Sequence, residues 1–171
     1  MKDEITIKVE KLESSKRQLL SEAIKDTIHI VYFKDTSWDR LVLNSVYVNK
    51  EFAGVCGIDV INSSWAKVGP VIVLSKFRGK GLGKLMIDYV LKDYKDRNLF
   101  IHSSNPAMIR IIEKTTFKKL NSALEVPLRV SVYLLSKHIL LNLDLNMVKY
   151  YLKKRVFQHQ PKALNFVLLI K

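Results

Sequence analysis

A β-branched run, Val71-Ile72-Val73-Leu74, leads within a few residues into a turn with glycines at 79, 81 and 83, and then into an amphipathic helix. Strand, glycine turn and helix in that order make half of a βαβ unit, which points to an α/β chain. Alternating glycines let a backbone approach a ligand closely. The helix that follows aims its unpaired N–H groups and positive dipole end at the same spot. An anion is the natural guest. Arg78, Lys80 and Lys84 add cations around the loop, which suits a diphosphate better than a lone carboxylate.

Spacing narrows the choice of template. A Walker A loop requires Gly, four residues and then Gly-Lys-Ser/Thr, but Gly83-Lys84 is followed by Leu85 and lacks the upstream glycine. A dinucleotide fingerprint, G-x-G-x-x-G, fails as well. Arg78-x-x-Gly81-x-Gly83 between strand and helix does fit one family pattern. It resembles the acetyl-CoA motif of the GNAT superfamily of N-acetyltransferases, whose Arg/Gln-x-x-Gly-x-Gly/Ala loop wraps the CoA pyrophosphate.

A second segment extends the resemblance, Asn105-Pro106-Ala107-Met108-Ile109-Arg110-Ile111-Ile112-Glu113-Lys114-Thr115-Thr116-Phe117. Asn105 reads as an N-cap and Pro106 as the first helical residue, where its missing N–H costs nothing. GNAT proteins commonly carry here an Asn, a helix with a Tyr, then Glu-Lys-x-Gly-Phe. The chain keeps Asn105, Glu113, Lys114 and Phe117. It departs at Ile112, in the place of the Tyr that protonates the leaving thiolate, and at Thr116, in the place of the Gly.

The resemblance spans roughly residues 5 to 140. It implies a mixed, largely antiparallel central sheet, splayed at the acetyl-CoA site and flanked by helices. It implies acetyl-CoA as co-substrate and an amine acceptor attacked directly. The cofactor would be held by the main chain of Val71, Ile72 and Val73, by the loop Arg78, Gly79, Lys80, Gly81, Leu82, Gly83 and Lys84, and by Asn105. The amine must shed a proton, which suggests a carboxylate or a water chain near the cleft. Asp59 is the candidate base with Glu51 behind it, and His102, Ser103 or water is the candidate to protonate the thiolate. Each has a plainer reading, Asp59 as an exposed strand-end charge and His102 as a buried structural histidine.

The remaining sequence fits one domain of 171 residues. Alternation predicts a first strand over Glu4–Val9, a capped helix follows over Ser15–Ile24, and a hairpin spans Leu43–Val48 and Phe52–Ile61. A third strand runs from Trp65 to Leu74. Leu82, Leu85, Met86, Tyr89 and Val90 recur at helical spacing as candidate core. Leu99–His102 reads as a parallel strand and Arg129–Ser136 as a last core strand. The acetyltransferase core is placed at 1–140. Residues 141–171 form a basic extension on the same domain, with a helix from Asp144 and a strand over Asn165–Ile170.

Composition sets the surroundings. Lys+Arg number 29 against 16 Asp+Glu, a formal charge of +13, which speaks to partners and not to fold. It serves an anionic cofactor and leaves open a nucleic-acid-facing surface, though no Arg/aromatic code or zinc spacing accompanies it. From Leu145 to Lys171 there are six basic residues and no acidic one. That segment is expected to pack on the domain or on a second copy in a homodimer. His29, His138 and His159 show no ligand spacing, so no metal is expected. The single Cys56 reads as a small buried hydrophobe in a reduced compartment. With no apolar run long enough for a membrane span or a signal peptide, a cytoplasmic protein is expected. A non-catalytic acyl-CoA-binding module is the competing reading.

Overall fold

A chemically specified hairpin turn starts the sheet. Asn49 and Lys50 both take positive φ, 50° and 67°, the paired left-handed conformation that lets a two-residue turn follow strand twist. Asn49 tolerates it and ties it down, accepting the Glu4 N–H on its Oδ1 at 2.9 Å. The turn joins β2 (Val42–Val48) to β3 (Glu51–Val60). Outside β2 runs β1 (Ile5–Val9), and beside β3 runs β4 (Trp65–Val73), all pairing antiparallel. The structure, a computed structural model, describes residues 3–25, 35–120, 127–133, 136 and 167–170.

β5 (Asn98–Ser103) lies parallel to β4, as a βαβ crossover requires. Beyond it come β7 (Val167–Ile170) and β6 (Lys118–Lys119), completing the order β1-β2-β3-β4-β5-β7-β6. This is the mixed, largely antiparallel sheet expected.

Helices cover both faces. α2 (Leu82–Asp93) and α3 (Pro106–Ile112) pack on one face, where Met86, Ile87 and Val90 meet Ala53, Cys56, Ile58, Leu99 and Ile101. α1 (Ser14–Lys25) covers the other, placing Leu20 and Ile24 against Trp38, Leu43, Phe52 and Val55. Each such side chain contributes about 1.5–3 kcal/mol on leaving water. In α2 the buried stripe is rotated slightly from expectation, with Ile87 buried and Leu85 exposed.

One strand expectation is overturned. Residues 128–133, within the segment read as the last core strand Arg129–Ser136, are helical. The N–H groups of Val130 and Ser131 both donate to the Pro127 carbonyl, and Pro127 presets the φ with which a helix opens. The edge of β5 is taken instead by β7, in the segment where a C-terminal strand was expected. The helix expected from Asp144, His29, His138 and His159 lie outside the described residues.

Candidate active site

β4 and β5 pair at three positions, Trp65 with Asn98, Ala66 with Leu99 and Lys67 with Phe100, and then part. The cause lies on the β3 side. Val68 faces Ile58 and Val71 faces Cys56, so Gly69 and Pro70 together oppose the single Gly57. Such a bulge bends and twists the strand that carries it. Gly57 makes the bulge possible, since a Cβ there would stand 2.9 Å from Leu41 Cδ1 and 3.2 Å from the Pro70 ring. β4 thereby swings from β5 and opens a cavity of about 640 Å³, walled by β4 from Val68 to Val73, by β5 from Ile101 to Ser103 and by the glycine turn.

The two strand walls differ in what they offer. The Leu74 N–H donates to Ala53 at 2.9 Å, and a Cβ on Gly54 would stand 2.2 Å from the Ile72 carbonyl. The main-chain groups of Leu74 and Ile72 therefore face β3. Alternation turns those of Val71 and Val73 into the split. Arg78 Nε, donating to the Val73 carbonyl at 3.2 Å, agrees with that direction. Of the three residues expected to bond an extended ligand through their main chain, Val71 and Val73 are the ones so oriented.

At the mouth, Gly79 and Gly81 adopt φ of 80° and 76°, in the left-handed region where a side chain is strained. Gly81 is also the N-cap of α2 and gives no side-chain cap. The helix's first intrahelical bond is Leu85 N–H to the Gly81 carbonyl, so the N–H groups just before Leu85 point onward from the first turn. Arg78 and Lys84 line the cavity, whereas Lys80 does not. Lys80 turns outward to Asp3 at 2.7 Å, and Lys76 pairs with Glu51 at 2.7 Å. The Asp3 carboxyl sits below its usual range, held there by the hydrogen bond from Lys80 and then that from Asn49. Lys84 also holds Asp88 one turn along α2 at 2.5 Å.

Asn105 caps α3 as expected, its Oδ1 accepting from Ala107 N–H at 2.9 Å, and it lines the cavity. From α3 the cavity receives Ala107, Met108 and Ile111. Ile112 points into the core with no exposure. This helix therefore brings no proton-bearing side chain to the split.

The proton-carrying candidates separate along β3. Glu51 opens the strand and Asp59 nearly closes it, eight residues or roughly 26 Å of extended chain apart. Glu51 belongs with the cradle, and Asp59 lies opposite Lys67, on the rung where the split begins. His102 and Ser103 line the cavity from β5, and Ser103 Oγ accepts the Asn105 N–H at 3.1 Å. Cys56 is buried in the core, which pushes its thiol up to about 12 and keeps it protonated. The group that sequence reasoning missed is Tyr133, whose hydroxyl donates to Asp59 Oδ2 at 2.5 Å. No local pattern marks it, because the contact joins residues 74 positions apart.

Among the described residues no helix is long and apolar enough to cross a membrane. The model of the acetyltransferase (GNAT) family matches residues 10–117, well over half of the chain. No curated protein matches it in sequence. Among solved structures, the ribosomal-protein-S18-alanine N-acetyltransferase of Escherichia coli is similar with a TM-score of 0.56 at 16% identity, over 69% of this chain and 80% of that one. Naa50 of Arabidopsis thaliana, bound to the bisubstrate analogue CoA-Ac-MVNAL, gives 0.55 at 14%, over 68% and 85%. N-acetylglutamate synthase of Neisseria gonorrhoeae, with coenzyme A and N-acetyl-glutamate, gives 0.64 at 9% over all of this chain but 35% of its own. At such identities the likeness is one of fold.

Proposed function

This chain belongs to the GNAT family of acetyltransferases, and on that premise we propose that it transfers acetyl from acetyl-CoA to a primary amine by direct attack. The observation that carries the reading is the continuity of cradle and split. An uncapped helix start with two left-handed glycines opens onto a strand whose main-chain groups at Val71 and Val73 face an open cleft. The residues present fit the co-substrate. The first turn of α2, Arg78 and Lys84 would hold its pyrophosphate. Val71 and Val73 would bond the extended arm as a neighbouring strand does.

Bound there, acetyl-CoA supplies an activated thioester. What the protein adds is proximity, a main-chain N–H donor for the developing oxyanion, and control of protons. Asp59 takes the proton from the acceptor's ammonium, breaking an N–H bond and forming an O–H bond on the carboxylate. His102, which lines the cavity from β5, would return a proton to the departing sulfur.

Incubation with acetyl-CoA and a panel of free-N-terminal peptides, lysine peptides and small alkylamines tests this by mass spectrometry. Addition of about 42 daltons to one acceptor class, with one or more turnovers per second for a good acceptor, is the expected result. A second reading is favoured by α3, which gives the cavity only Ala107, Met108 and Ile111. With no acid from that helix, the chain serves as an acyl-CoA-binding module. Tight CoA binding without product across the panel selects it.

A further inference from the structure

The closed end of the split carries a construction that the cofactor reading does not use. Asp59 lies directly opposite Lys67, and Lys67 directly opposite Phe100. Cross-strand partners share a face, so these three form one row across β3, β4 and β5 on the last rung before the strands part. Trp65, two residues before Lys67, shares that face and meets the Phe100 ring at 6.4 Å. His102, two residues beyond Phe100, continues it into the cavity. Tyr133, from the helical residues 128–133, spans the row. Its ring stands edge-on to Phe100 with centroids 5.9 Å apart, and its hydroxyl reaches Asp59 at 2.5 Å.

One phenol thus reaches from above β5 to β3 at the apex of the split. We propose that Tyr133 is a positioning residue for Asp59, donating to Oδ2 so that the carboxylate is held in one orientation toward the acceptor's ammonium. The proposal rests on the reading of Asp59 as base. The proton moves from the ammonium nitrogen to the Asp59 carboxylate, and Tyr133 keeps its own. Burial first, then the bond to Asp59, raises Tyr133 above the usual phenol range, so the hydroxyl stays a donor at every working pH. In this arrangement acceptor chemistry is organised from the far side of the sheet face, by residues 128–133, and α3 has no part in it.

The test combines a double-mutant cycle with a direct view of the carboxylate. Tyr133→Phe, Asp59→Asn and the double variant are assayed with the peptide and amine panel. CoA affinity is followed by calorimetry, and the Asp59 carboxyl signal is followed by carbon-13 NMR at fixed pH. Expected are a roughly tenfold loss of kcat in Tyr133→Phe, the scale of a hydrogen bond to a charged group, and no further loss in the Asp59→Asn background. CoA affinity stays unchanged. The Asp59 carboxyl signal moves in Tyr133→Phe, because the hydrogen bond to Oδ2 is gone. Should the phenylalanine variant fold poorly, 3-fluorotyrosine at 133, a stronger donor, moves the same carboxyl signal in the opposite sense.

Equal losses of turnover in both backgrounds, or an unmoved carboxyl signal, overturn the proposal and make Tyr133 a pin for its helix. If Asp59→Asn abolishes turnover while Tyr133→Phe leaves it intact, the base reading stands and this proposal alone falls. If the carboxyl signal moves but Asp59→Asn keeps full turnover, the base reading fails and takes the proposal with it.

Discussion

The mouth and the apex of the split are built from different materials. The mouth is made of backbone, with Gly79 and Gly81 at positive φ, the first turn of α2 without a side-chain cap, and β4 groups turned outward at Val71 and Val73. The apex is made of side chains, Asp59, Phe100, His102 and Tyr133, drawn from two strands and a distant helical segment. On the proposed reading, a backbone site would recognise what all CoA esters share. A side-chain site is where the choice of acceptor can change without disturbing the cradle.

The sharpest way to break that contrast is to change one backbone angle. Gly81→Val places a β-branched residue at φ 76° and removes the geometry that aims the helix N–H groups. CoA affinity should fall by roughly a hundredfold, while melting temperature, read by calorimetry, changes far less.

Next in size is Gly54→Ala. An added Cβ would sit 2.2 Å from the Ile72 carbonyl, and backbone on both sides resists the shift. Denaturant unfolding should show a loss of about 1–3 kcal/mol, the range of overpacked cores.

Within the mouth, the cations should separate. Arg78→Ala should weaken CoA binding by about tenfold, as expected for a cavity-lining guanidinium. Lys80→Met should change it by less than about threefold, because Lys80 faces Asp3 outside the cavity on the exposed surface. Equal effects would show that Lys80 swings inward on binding. The smallest effect concerns Cys56. Cys56→Ala should leave turnover intact, and iodoacetamide at pH 8 should label the unfolded chain and spare the native one. Burial raises the thiol from 9.0 to about 12. Its share of stability is thus fully present below pH 9 and is lost as pH climbs from there toward 12.

The mouth was readable in the chain because glycine, an N-capping Asn and a Pro at the first helical position encode local backbone directly, at 79 to 83 and at Asn105-Pro106. The apex was not. Asp59 stood out only as a carboxylate, and nothing near Tyr133 marks its partner. The segment from Arg129 alternates like a strand, but Pro127 opens a helix there and β7 occupies the edge of β5. Helix phase was the other weak point. One residue of rotation, about 100°, decides that Ile111 reaches the cavity and Ile112 the core. Charge could be counted but not placed, so Lys80 was assigned to the ligand and lies on Asp3.

Calorimetric titration of CoA into the wild-type chain and Gly81→Val, both checked for folding, tests the central claim most directly. The account predicts saturable one-to-one binding to the wild type, lowered about a hundredfold by the substitution. A folded wild type that takes up no CoA at millimolar concentration, or a Gly81→Val variant that binds as well as the wild type, would contradict it.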